Sequence, residues 1–348
     1  MKKRSLFEGF YRLVLDQPVT SFNRNWCGTL YAARLTQTDG NGGGSFDINW
    51  IELGRGCDQE VKAIIDKKPK LSDIFQVAAA SGGNCPAGYT FIREDELGDG
   101  QGYEYCLNLR VGSLRSPLFA NDAEVRKAAA FLETRKYARY LGATIEFEKG
   151  EGLSYDPDNK KIYFDITAIR GGMSDGRDHI QLQENICGAV YELDVDDNLT
   201  ATKMRAIVVG ERLKPGEPYF EIYTCNPNKI AAPDNLRYIG QNILLIGEDT
   251  RFHFNNMIWA YDLKRKTLTR IGTIQTGGEV TGMFEYANIN GQYVLTANVQ
   301  HAFVDRPRAQ RPDLSGLVDV GLASDYSIDR GVGFVYFIKL IPTGIFKE

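Results

Sequence analysis

From Leu153 onward the chain repeats one theme: a short β-branched or aromatic run, a turn rich in Asp, Asn and Gly, then another run. Runs this short cannot be amphipathic helices, and turns this frequent force antiparallel hairpins. Leu153-Ser-Tyr155 passes through Asp156-Pro-Asp158-Asn159 into Lys161-Ile-Tyr-Phe-Asp165. Asp and Asn suit that turn because they tolerate unusual backbone angles and bond their own main chain. Like units follow at 188–193, 242–246, 257–262, 293–297 and 331–337. The pattern predicts an all-β chain. Blades of a propeller take about 40–50 residues each, so 151–342 would hold roughly three. The N-terminal runs 28–34 and 46–51 would belong to another blade. A β-sandwich leaves the same local pattern, and the propeller is preferred.

One helix interrupts the strands, expected near 122–141. Asn121 and Glu124 have capping-box spacing, Val125, Ala128, Ala129 and Leu132 share a face, and Gly142 can close the end. Residues 57–118, rich in Gly and polar side chains, read as a long insertion that Cys85 and Cys106 could clip. The whole chain, 1–348, is read as a single domain.

The charge balance, 41 Lys plus Arg against 45 Asp plus Glu, lacks the basic excess of a nucleic-acid binder. No run approaches the ~18 apolar residues of a membrane span. Met1-Lys-Lys-Arg-Ser5 imitates a signal-peptide start, but Glu8, Tyr11, Arg12 and Asp16 break the apolar stretch that should follow. Six cysteines without a CxxC pair argue against structural zinc and leave 15 disulfide connectivities open. The redox compartment is left open between the cytoplasm and the outside of the cell, leaning towards an exported protein.

Only three histidines are present, and no Gly-x-Ser-x-Gly elbow, P-loop or dinucleotide fingerprint occurs. Acids instead gather at predicted strand ends: Glu151, Asp234 beside Asn235, the pair Glu248-Asp249, and Glu279; Gln300-His301 ends the following strand. In a propeller such ends face one funnel. Carboxylates converging there without lysine partners would need a cation, and Ca²⁺ takes six to eight oxygens. Asp194-x-Asp196-Asp197-Asn198 lacks the central Gly and terminal Glu of an EF-hand and reads as a solvated hairpin turn. Arg306-Pro-Arg308 and Arg311-Pro312 form a small basic loop.

At these positions the sequence resembles the PhoX family of alkaline phosphatases. The resemblance is carried by 140–144, Phe147-Glu-Lys-Gly-Glu151-Gly-Leu-Ser-Tyr-Asp-Pro157, 161–163 and Asn185-x-Cys187-Gly188-x-Val-Tyr191. It continues through Ala232-Pro-Asp234-Asn-Leu236, Gly247-Glu-Asp249, Glu279-Val-Thr-Gly282 and Asn298-Val-Gln-His301. Asn25-Trp-Cys-Gly-Thr-Leu-Tyr31 looks like an earlier part of the same domain. The resemblance implies a six-bladed propeller holding Ca²⁺ and Fe³⁺ that hydrolyses small phosphate monoesters in the periplasm or outside the cell. Glu151, Asp234, Glu248, Asp249 and Glu279 would then be metal ligands, with His301 and Asn235 in catalytic positions. The family's preceding acidic and cysteine-bearing segment is not found, so a second polypeptide completing the propeller is one expectation. A calcium-stabilised binding or assembly module without catalysis is the alternative, and a one-calcium lactonase a third.

Overall fold

The computed structural model describes residues 8–18, 25–94, 103–289, 292–300 and 334–340. The chain forms two compact units. The first comprises 1–38, 46–148 and 171–181; the second comprises 39–45, 149–170 and 182–348.

In the first unit, strand Tyr11–Leu15 pairs antiparallel with Cys27–Asp39, which is followed by Ser45–Cys57. Residues 57–118 form a folded layer of the first unit. They hold helices Asp58–Asp66 and Leu71–Ile74 and a three-stranded sheet with Tyr103–Leu109 at its centre, flanked by Phe75–Ala79 and Thr90–Glu94. Phe75, Ile92, Leu107 and Leu109 from that layer are buried against Val125, Ala128 and Ala129. Scattered glycines masked this alternation in the sequence. Cys85 and Cys106 do clip the layer; Cys27 pairs with Cys57, and in the second unit Cys187 pairs with Cys225.

The predicted helix is two helices, Asp122–Leu132 and Thr134–Tyr140. Asn121 caps the first by accepting the Glu124 N–H, as its spacing implied. The break falls at Glu133, whose φ of −122° and ψ of 41° leave the helical basin. There the Thr134 hydroxyl donates to the Ala130 carbonyl at 2.6 Å, an alternative partner for the backbone acceptor. Beneath these helices Glu146 is buried, its Oε2 accepting from the backbone N–H groups of His179 (3.0 Å) and Ile180 (2.7 Å). Burial pushes its carboxyl up to about 7, although those donors and Arg139 pull the other way.

The second unit is three antiparallel sheets, each running in chain order. The first is Leu153–Asp156, Lys161–Ile166, Ala189–Val195 and Ala201–Val209. The second is Pro233–Tyr238, Ile243–Glu248, Asn255–Asp262 and Thr267–Thr276, and the third is Glu279–Ile289, Gln292–Gln300 and Phe334–Leu340. The turn residues act as expected: Asp156 Oδ1 accepts the N–H of Asp158 and of Asn159. Asp196 does likewise for Asn198 and Thr200, which makes 194–198 a hairpin turn.

Period-two alternation in the middle sheet then builds two cores. Leu244 and Ile246 pack with Tyr163 and Val190 of the first sheet, while Ile243 and Leu245 pack with Val280, Leu295 and Val299 of the third. A strand buried on both faces reads as a continuous apolar run, which is how 243–246 appears. Stacking of this kind sets the leading strands of the three sheets side by side. The chain is mostly β, as expected. No helix among the described residues is long and apolar enough to cross a membrane.

Candidate functional site

Two leading strands and the end of the middle sheet's second strand bring three acids together. Asp234 sits at a register shift between Pro233 and Asn235, opposite the end of the neighbouring strand at Glu248. Asp249 follows directly, held by its N–H donating to the Ala232 carbonyl at 3.1 Å. Glu279 opens the third sheet. All three side chains are buried, and one oxygen from each lies within 4.8 Å of the other two.

A lysine closes the group, contrary to the expectation that these acids would lack one. Lys149 Nζ donates to Asp234 Oδ1 and to Asp249 Oδ2, each at 2.7 Å, and stands 3.2 Å from Glu151 Oε1. Its backbone takes a φ of 41°, a left-handed conformation that costs of order 1 kcal/mol or more in a non-glycine residue. Burial would lower the Lys149 ammonium, but the charges of Asp249 and Asp234 outweigh it and hold the amine protonated above its usual range. Asp234 is nevertheless pushed well above the ordinary carboxylate range: its burial dominates, and Asp249 and Glu151 add to it, against the pull of Lys149. Asp234, Asp249 and Glu151 thus share the Lys149 ammonium, with Glu279 beside the two aspartates.

Asp165 is the residue sequence reasoning missed. It is fully buried, and its Oδ1 accepts from the N–H of Gly152 (2.7 Å) and of Glu151 (3.3 Å), fixing the turn that carries Glu151. No hydrogen-bond partner for Oδ2 is found among the described residues. A Cβ on Gly152 would stand 2.2 Å from that oxygen, so only glycine fits there. Burial raises the Asp165 carboxyl to about 7. Its one sequence signal was an acid inside an otherwise apolar strand.

Glu248 is placed differently from Asp249. Its two oxygens accept from the Ala231 and Met257 N–H groups (2.9 and 3.0 Å) and from Trp259 Nε1 (2.8 Å), and it lies 3.0 Å from His253 Nδ1. These partners leave it little capacity for a cation, and it lies outside the acid trio. Asn235 is adjacent to the trio, its Nδ2 donating to Asp234 Oδ2 at 3.2 Å. Gln300 donates to Glu279 Oε2 at 3.1 Å. His301 and the basic loop 306–312 lie outside the described residues.

The donor chemistry suits a hard divalent cation: the group is all-oxygen and anionic. The six cysteines are all paired, so the chain offers no thiolate to iron.

No curated protein matches the chain. Among solved structures, similarity is found to a GH43 β-xylosidase/α-arabinofuranosidase from a compost microbial metagenome, crystallised calcium-free with xylotriose. It is 10% identical over 98% of this chain and 92% of that one, with a TM-score of 0.30. TolB from Acinetobacter baumannii is 10% identical over 78% of this chain and 54% of its own, with a TM-score of 0.20. Similarity at this level establishes neither fold nor function. The family model for alkaline phosphatase PhoX, by contrast, matches residues 5–302. Matched over that span, the chain belongs to the alkaline phosphatase PhoX family and is a phosphoric monoester hydrolase.

Proposed function

We propose that this protein hydrolyses small phosphate monoesters at the group formed by Lys149, Glu151, Asp234, Asp249 and Glu279, with Ca²⁺ as the resident ion. The observation that carries the reading is the trio Asp234, Asp249 and Glu279, three buried carboxylates from separate strand ends within 4.8 Å of one another. So much buried negative charge is costly unless a cation shares it. Bound there, calcium would neutralise the phosphate and stabilise charge developing on its oxygens and leaving group.

The protein's own residues would do the rest. Asp234, Asp249 and Glu279 hold the ion, and Glu151, partly exposed at the edge of the group, completes its coordination. Lys149, kept charged by its acidic neighbours, offers an N–H donor to a phosphate oxygen and offsets the dianion. Asn235, whose amide already touches Asp234, orients that carboxylate and offers a second donor. His301 would act as the proton donor to the leaving oxygen. Asp165 holds the Glu151-Gly152 turn in place. Glu248 serves the fold rather than the ion. Fe³⁺ would find carboxylate oxygens here but no thiolate.

The three successive antiparallel sheets support a propeller in which the whole chain acts as one functional domain, six-bladed if a second polypeptide completes it. Three disulfides support export to the periplasm or beyond.

The test is elemental analysis of the purified, unchelated protein with p-nitrophenyl phosphate hydrolysis on the same sample. Bound calcium, with turnover abolished by EDTA and restored by Ca²⁺, is the expected result. Bound calcium without turnover would leave a binding or assembly module instead.

A further inference from the structure

The leading strands do not end at the acid trio. Strands Leu153–Asp156 and Pro233–Tyr238 run side by side in one direction: a Cβ on Gly152 would touch the Leu236 N–H, and the Tyr238 N–H donates to Ser154 Oγ at 2.8 Å. Glu279–Ile289 continues alongside, with Glu279 in the acid trio and Glu285 opposite Arg237. All three strands therefore leave the acids together, and their exposed positions form a shelf: Arg237 lies three residues beyond Asp234, about 10 Å at ~3.3 Å each, and its guanidinium reaches Phe284, five residues beyond Glu279.

That shelf is unlike the acids it adjoins. Leu153 is 55% exposed, Tyr155 41%, Phe284 46% and Tyr286 47%, a concentration of large apolar groups on one short stretch. Arg237 lies among them, but its charge is already spent. Its Nε and Nη2 donate to the two oxygens of Glu285 at 2.7 and 3.0 Å, and its guanidinium covers the Phe284 ring at 4.9 Å from the centroid. Tyr286 packs edge-on to Phe284 at 5.2 Å. With Arg237 neutralised, the shelf offers aromatic and guanidinium faces rather than a second anion site.

We propose that this shelf receives the organic part of the ester, making aryl and nucleoside monophosphates, rather than esters of small hydrophilic alcohols, the substrates of this site. The inference rests on the phosphatase reading above. It adds a specificity surface, with Phe284 as its centre.

The experiment compares p-nitrophenyl phosphate with glycerol 2-phosphate on the calcium-loaded full chain, for wild type, Phe284→Ala and Phe284→Tyr. Leaving-group chemistry differs between the two esters but cancels when the aryl-to-glycerol ratio of kcat/KM is compared between variants. F284A should lower that ratio roughly tenfold, mainly through KM for the aryl ester, the size of a lost aromatic contact. F284Y should keep it. An unchanged ratio in F284A, with melting temperature preserved, overturns the shelf and leaves the phosphatase standing. If wild type hydrolyses neither ester, the phosphatase reading fails, and calorimetry then decides the shelf without turnover. Phenylphosphonate binding more tightly than methylphosphonate in wild type but not in F284A would support it; equal binding in both would overturn it.

Discussion

Glu248 and Asp249 are consecutive, both buried, both at the end of one strand, and they do opposite things. Glu248 turns towards Trp259 and His253 and has a polar partner for each direction an ionised carboxylate can use. Asp249 turns towards Lys149 and joins Asp234 and Glu279, one oxygen from each within 4.8 Å of the others. The side-chain alternation of a strand separates them. A buried carboxylate saturated by donors is part of the fold; buried carboxylates gathered within reach of one another offer their oxygens to a cation. The lesson is to count donors, not acids.

Four experiments would break or sharpen that contrast. Asp249→Asn should cost most: calcium affinity and phosphate-ester turnover fall by more than about 100-fold, since each is asked of the same charge. Calorimetry and steady-state kinetics would read it, and the calcium-free variant should melt no lower than wild type because a like charge has been removed. Glu248→Gln comes next, with the opposite signature. Its amide must present N–H where a donor now points in, costing about 2–3 kcal/mol, seen as a lower melting temperature, while calcium affinity in the folded protein changes far less than in D249N. Trp259→Phe removes one of those donors and should cost about 1–2 kcal/mol in denaturant unfolding. It sharpens the case that Glu248 is a structural hub.

The last effect lies in the first unit and is spread over a pH range. Glu146 is raised from its ordinary value to about 7, so the folded protein holds its proton where the unfolded chain has lost it. That stability is present below about pH 4.5 and is lost as pH rises towards 7, by no more than about 2–3 kcal/mol. Denaturant midpoints measured between pH 5 and 8 should therefore fall for wild type and fall less for Glu146→Gln.

Much of this was written in the chain. The Asp156 and Asp196 turns announce themselves because each Asp bonds the N–H groups that follow it. The acids of the trio were legible as acids at strand ends, where the register shift at Asp234 and the start of a new sheet at Glu279 turn them to one place. Lys149 was not legible. In Phe147-Glu-Lys-Gly-Glu151 it looks like one charge in a solvated run, and nothing local says that a left-handed backbone folds its ammonium back among the acids. Asp165 depends on a glycine 13 residues away having no side chain, a pairing that only the hairpin creates. Glu248 and Asp249 look identical in sequence because their difference lies in partners from other strands and loops. The same holds for 57–118, whose apolar residues become a core only against the 122–132 helix.

The most direct test of the contrast is a calcium titration of EDTA-stripped wild type and Asp249→Asn, followed by calorimetry. Saturable binding to wild type that D249N weakens by more than about 100-fold is the expected result. Equal binding by the two proteins, or none by wild type, would mean that Lys149 already completes the acid cluster and that the cation lies elsewhere.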